Sequence, residues 1–290
     1  MPNFIIVGAE KSGTSSLYQL LISHPDIFMP ETKELSFFND NDSNGVPISL
    51  YAKRGLTWYQ SFFLNKKSQQ SIWRGEASPL YMESKASIDR IYQFCGDVKI
   101  ICILRDPIDR YLSCVKMATR NGDIKLNQSN IFSNKKSILF LERGLYGKQI
   151  KNIKSKFTNL LVLDFEDLKD AKKLKKKVAD FFNLEITKFG ELPHSNPMIY
   201  LRFSKLYKLK RYIARKLRNN NFGNYFLNFK ITKKISRLID KINTQDSSSN
   251  KDFILDKENY IKLKRFYLED VQILKDEKID LSFIKNYKIK

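Results

Sequence analysis

Six consecutive residues could hold an anion: Lys11, Ser12, Gly13, Thr14, Ser15 and Ser16. They follow a short apolar run, Phe4-Ile5-Ile6-Val7, and lead directly into Leu17, Leu20 and Leu21 at helical spacing. A strand entering a tight hydroxyl-rich turn that opens a helix aims backbone N–H groups, a helix N-terminus and a lysine at one point. That is a cradle for phosphate-like groups. A second such place is Leu104-Arg105-Asp106-Pro107 at the end of the most apolar run, Val98 to Leu104. Arg105 offers a planar fork for a phosphate. Ser113 is about two helical turns further on, placed to share that anion if the turn folds back.

The elements that must carry these residues follow from hydrophobic pattern. Residues 4–7 read as a central parallel strand, and Thr14 or Ser15 is expected to cap the helix closed by His24-Pro25. Pro30 to Asp40 reads as a loop. A short aromatic helix is expected over 56–64, a strand over 72–76 and a helix over 85–94. The strand 98–104 precedes a helix with Pro107 in its first turn. A mobile polar loop over 123–136, a helix over 145–157, a strand over 160–165 and a basic helix over 169–182 continue the rhythm. This alternation predicts an α/β fold: a P-loop-like central parallel sheet with helices on both faces. One domain over 1–290 is expected, with its cofactor-binding core at 1–185. A basic helical extension over 199–241, a polar linker over 245–250 and a C-terminal helix within 257–290 that packs back complete it.

Charge narrows the partners. The chain of 290 residues has 52 Lys and Arg against 31 Asp and Glu, a net charge of +21. Such an excess favours anionic partners. Between 199 and 241 there are 13 basic residues and one acid, Asp240, interleaved with apolar side chains. Three cysteines without a CxxC pair and two histidines assemble no zinc cluster, and Cys102 and Cys114 read as packed thiols. The apolar run before Gly8 is too short for a secretory leader, which sets the expectation of a cytoplasmic protein.

The loop departs from a Walker loop, in which the lysine follows the last glycine. Here Thr14 follows Gly13 and the lysine stands two places before it, so phosphate binding survives while kinase-type metal chemistry fits poorly. Two readings stand on the residues alone: a P-loop kinase or NTPase, or a non-enzymatic binder of polyanions or membranes.

The motif Lys11-Ser12-Gly13-Thr14-Ser15-Ser16-Leu17, with His24-Pro25 and Lys33-Glu34-Leu35-Ser36-Phe37-Phe38, resembles the start of sulfotransferases that use 3′-phosphoadenylyl sulfate (PAPS). The likeness is nearest to the glycan branch, including heparan sulfate enzymes and bacterial relatives. Leu104-Arg105-Asp106-Pro107 with Ser113 resembles the family's 3′-phosphate element. Weaker echoes are Gly55-Leu56-Thr57-Trp58-Tyr59, Arg143-Gly144-Leu145-Tyr146, 163–168 and Asp280-Leu281-Ser282. The resemblance implies a loop, residues 11–16, that binds the phosphosulfate, with Lys11 stabilising the leaving oxygen. It implies Glu34 as the base that accepts the acceptor's proton; taken alone, Glu34 reads as a surface carboxylate paired with Lys33. It further implies PAPS as donor, no metal, an acceptor glycan or glycolipid, and no nucleic acid. The basic 199–241 segment would then meet the acidic acceptor or the anionic inner face of a membrane. In heparan sulfate enzymes a lysine stands where this chain has Ala77.

Overall fold

The computed structural model describes residues 1–43, 45–192, 200–201, 209, 212–213, 244–245 and 253–284. They divide into two compact units: 1–111 with 138–195 and 257–290, and 112–137 with 196–256.

The first unit is built on five parallel strands: β1 (Phe4–Gly8), β2 (Ile27–Phe28), β3 (Trp73–Ala77), β4 (Lys99–Leu104) and β5 (Leu160–Asp164). Their order is β2-β3-β1-β4-β5. β1 lies between β3 and β4, with Phe4 opposite Gly75 on one side and Lys99 on the other. The register shifts between Ile6 and Gly8, where the anion loop leaves the sheet. Gly75 is required on packing grounds, since a Cβ there would stand 2.1 Å from the Phe4 ring.

Strand alternation divides the interior into two cores. Ile5, Val7, Ile100, Cys102 and Leu104 face one, and Phe4, Ile6, Ile101 and Ile103 face the other. The first is covered by α2 (Leu50–Ser61), α4 (Lys85–Cys95) and α7 (Tyr146–Lys154). The second is covered by α1 (Thr14–Ile22) and α8 (Ala171–Phe182). Helices therefore lie on both faces of a parallel sheet, as the sequence pattern predicts. The three cysteines form no disulfide, and Cys102 and Cys114 are buried. Burial pushes the Cys95 thiol up to about 12.

Several boundaries differ from expectation for local reasons. Gly13, not Thr14 or Ser15, is the helix cap: it takes φ +89°, so Thr14 already has helical geometry and no side chain caps the end. The aromatic helix starts where the pattern placed it, after Gly55, whose φ of 71° and ψ of 165° are not helical; a short helical turn from Leu50 precedes that break. A short helix α3 (Lys66–Gln70) forms because the Asn65 side chain accepts from the Ser68 N–H.

α5 (Pro107–Arg120) spans the boundary between the units, and Asp106 caps it by accepting from the N–H groups of Ile108 at 2.9 Å and Asp109 at 3.2 Å. The last described helix, α9 (Lys257–Asp276), packs on α7. Asp270 accepts from the N–H groups of Gly147 at 2.6 Å and Lys148 at 3.1 Å, serving the open helix start of α7.

In the second unit, residues 123–136 are built around a 3-10 turn, Gln128–Asn130, closed by reciprocal Asn127 and Asn130 hydrogen bonds. α6 (Lys135–Glu142) starts at the end of that stretch. Tyr200–Leu201 (β6) pairs antiparallel with Thr244–Gln245 (β7), so Gln245 is strand and not linker. Most of the basic 199–241 segment and residues 246–250 lie outside the described residues; Leu209, Tyr212 and Ile213 are helical and exposed. Among the described residues no helix is long and apolar enough to cross a membrane.

Candidate active site

In a parallel sheet the loops after the strands gather at one edge. Here that edge carries the anion loop after β1, Ser78 after β3, Arg105 after β4 and Phe165 after β5.

The loop's shape is set by two left-handed residues, Lys11 at φ 65° and Gly13 at φ 89°. Gly13 is fixed twice over: a Cβ there would lie 2.3 Å from Leu168 Cδ1 and 3.3 Å from the Phe165 ring. The first helical donors to find acceptors are Ser16 and Leu17, both on the Gly13 carbonyl. The N–H groups of Thr14 and Ser15 stay open to a ligand. Ser12 is fully buried, and its hydroxyl has no partner among the described residues. A buried hydroxyl without a partner is costly unless a ligand meets it. Lys11 makes no ion pair among the described residues. Arg143, nearly buried, pins the outer shoulder of the loop through Glu10 at 2.8 Å and Glu83 at 2.5 Å.

Glu34 is brought to this loop by a strained segment. Glu34 and Ser36 both have positive φ, 61° and 52°. Such conformations persist only where the surroundings impose them. The Glu34 N–H donates to the Ala77 carbonyl at 3.0 Å, and the Ser36 N–H donates to Ser78 Oγ at 3.0 Å. Phe37 and Phe38, both fully buried, anchor the other end; Phe37 stacks on Tyr59 with ring centres 4.7 Å apart. The Lys33 ammonium then joins the two parts, donating to Ser15 Oγ at 3.0 Å and to Glu34 Oε1 at 2.7 Å. The Lys33–Glu34 pair expected of a surface carboxylate is thus present, but it sits beside the loop.

Behind this segment lies a group that sequence reading did not single out. Glu76 is 2% exposed and accepts from the hydroxyls of Tyr59 at 2.8 Å, Tyr81 at 2.8 Å and Ser78 at 3.1 Å. Burial pushes its carboxyl up to about 7, against the three hydroxyls, which favour its charged form. Ser78 links this buried acid to Ser36, and so to the turn that carries Glu34.

Arg105 is available as a phosphate fork because Asp106 is occupied as the α5 cap. Its guanidinium lies 4.6 Å from the centre of the Phe165 ring and has no ion pair among the described residues. Ser113, half-buried on α5, falls in the other compact unit, and its share in the 3′-phosphate site stays an implication of the resemblance. The structure therefore brings together Gly13, Phe165 and Arg105, and separately Ser15, Lys33 and Glu34. A cavity of about 540 Å³ beside β5 and Glu277–Phe283 contains none of these residues. Among the described residues no three His, Cys, Asp or Glu side chains group to hold a metal ion.

The family model described as the Sulfotransferase domain matches residues 1–251. The chain belongs to the sulfotransferase family. The membrane-associated sulfotransferase kil1 of Dictyostelium discoideum is 34% identical over 116 residues, covering 39% of this chain and 22% of that protein. The heparan sulfate glucosamine 3-O-sulfotransferase 5 of Mus musculus is 34% identical over 113 residues, covering 39% of this chain and 30% of that one. The alignments thus span less than a third of these relatives. A solved sulfotransferase from Alicyclobacillus acidocaldarius superposes with a TM-score of 0.57 at 25% identity, covering 76% of this chain and 94% of that one. The sulfotransferase domain of the curacin biosynthetic pathway shares the fold, with a TM-score of 0.52 at 14% identity over 97% of this chain and 99% of that one. Within this family the kinase or NTPase reading of the loop is not favoured.

Proposed function

We propose that this sulfotransferase moves a sulfuryl group from PAPS to a hydroxyl or amine of a glycan or glycolipid. The observation that carries the reading is the open anion loop standing beside Glu34, joined to it through Lys33. The buried, partnerless Ser12 hydroxyl and the uncapped start of α1 suit the phosphosulfate of such a donor. PAPS supplies the sulfuryl group and a phosphate leaving group. Lys11 offsets the charge that grows on the leaving oxygen, and the Thr14 and Ser15 N–H groups, with the Ser12 and Ser16 hydroxyls, hold the outer oxygens. Glu34 accepts the acceptor's proton, and Arg105 with Ser113 selects the 3′-phosphate. The work of these residues is mainly positioning and charge stabilisation, as in phosphoryl transfer.

The glycan part of the proposal draws on relatives that act on heparan sulfate. The basic 199–241 segment is assigned to an acidic acceptor or an anionic membrane surface on charge alone. A cytoplasmic protein peripheral to the membrane and organised as one sulfotransferase domain fits this reading.

Nucleotide binding tests it. With a chelator present, calorimetry should show tight binding of the product nucleotide, 3′-phosphoadenosine 5′-phosphate (PAP). ATP with magnesium should bind weakly and stay intact. Steady ATP hydrolysis with no PAP binding would overturn the proposal.

A further inference from the structure

Two lysines carry charge beside the anion loop, and the reaction as described uses only Lys11. The other is Lys33. Its ammonium bonds Ser15, in the first turn of α1, and the Glu34 carboxylate at once. A surface ion pair of the ordinary kind would end at Glu34. This one continues to the loop, from a side chain only 20% exposed. An ammonium has three donors, so two such bonds leave one for a further acceptor. The end of β3 next to Glu34 brings no charge, because the residue there is Ala77.

We infer that Lys33 is a second catalytic cation, contacting the oxygens of the sulfuryl group held beside Ser15. The inference rests on the sulfotransferase reading and adds a residue to it. In the transfer, the acceptor oxygen bonds to sulfur as the bond from sulfur to the 5′-phosphate oxygen breaks. The acceptor's proton passes to Glu34, and the electron pair of the broken bond leaves with the phosphate. Lys33 keeps its protons throughout. Its fixed charge lies where the transferring oxygens face both Ser15 and Glu34, so it steadies them without reorganisation. It also offsets the repulsion between those oxygens and the Glu34 carboxylate, allowing donor and base to sit side by side.

Binding separates this role from a structural one, because PAP lacks the sulfuryl group that PAPS carries. Calorimetry on the wild-type protein, Lys33→Met and Lys33→Arg, with both nucleotides, is the experiment. Lys33→Met should weaken PAPS about 10-fold, as expected for one charge-assisted hydrogen bond. PAP should change less than about twofold, and Lys33→Arg should recover most of the PAPS affinity. Lys33→Arg also keeps the test open if Lys33→Met fails to fold. Equal loss for both nucleotides, or no loss for either, overturns the inference and leaves the donor reading standing. A wild-type protein that binds neither nucleotide overturns the donor reading itself.

Discussion

The Arg105 guanidinium lies 4.6 Å from the centre of the Phe165 ring, and the same ring walls Gly13 in the anion loop. One aromatic side chain therefore positions both the cation assigned to the 3′-phosphate and the backbone assigned to the phosphosulfate. Arg105→Ala should weaken PAP by at least about 10-fold while leaving the 3′-dephospho nucleotide nearly unchanged. Phe165→Leu should cost PAP a smaller factor, about 2- to 5-fold, by releasing the guanidinium from the ring face. Equal losses for the two nucleotides in Arg105→Ala would remove Arg105 from the 3′-phosphate site.

Glu34 is assigned the proton, not the donor. Glu34→Gln should lower transfer by about 10²- to 10⁴-fold, the usual range for a positioned general base. PAP affinity should stay within about twofold, since Lys11, the loop N–H groups and Arg105 are untouched. Transfer at the wild-type rate in Glu34→Gln would show that another group takes the proton.

Gly13 meets two constraints that can be separated. An alanine there takes φ +89°, which costs about 1–2 kcal/mol, and pushes its methyl onto Leu168. Gly13→Ala should lower the melting temperature and abolish PAP binding. Adding Leu168→Ala should recover part of the stability by removing the clash, while the cost of φ persists. Purely additive losses in the double variant would show that the Leu168 contact is not what excludes a side chain.

The buried Glu76 gives a pH dependence with a definite sign. Its carboxyl is raised to about 7 in the folded protein, from 4.5 in an unperturbed chain. Between those values the folded state holds a proton that the unfolded state has lost, so stability falls as pH rises through the window. The fall from this group approaches about 3 kcal/mol at the upper end. The buried His24 acts the other way: burial holds it below its usual range, so it favours the folded state as pH rises. Comparing wild type with Glu76→Gln cancels the histidine. Glu76→Gln should lose the downward slope above pH 5 in denaturant unfolding, and an unchanged slope would assign it elsewhere.

Much of this site is legible in the sequence because its parts are local. The run from Phe4 to Leu17 is strand, turn and helix in unbroken order, and Val98 to Pro107 joins a buried strand to a helix start with its own cap. The sheet with two helical faces follows from the same apolar runs. What sequence does not show is what distant segments do to one another. Residues 165–168, from beyond β5, leave no room for a side chain at Gly13, the left-handed residue that caps α1 in place of Thr14 or Ser15. Glu76 has Ser78 and Tyr81 close by in sequence, but it gains Tyr59, and its burial, only once α2 lies over β3. Lys33 looks like the surface partner of its neighbour until α1 brings Ser15 within 3.0 Å. β2, at two residues, is too short to leave a pattern.

The central claim is that this loop holds a sulfuryl donor, and transfer of labelled sulfur tests it most directly. Sulfur-labelled PAPS would be incubated with a panel of glycans and glycolipids in the presence of a chelator. The account predicts label on an acceptor and release of PAP from the wild-type protein, both lost in Lys11→Ala. Label that stays on PAPS with every acceptor, from a protein that instead consumes ATP when magnesium is supplied, would contradict it.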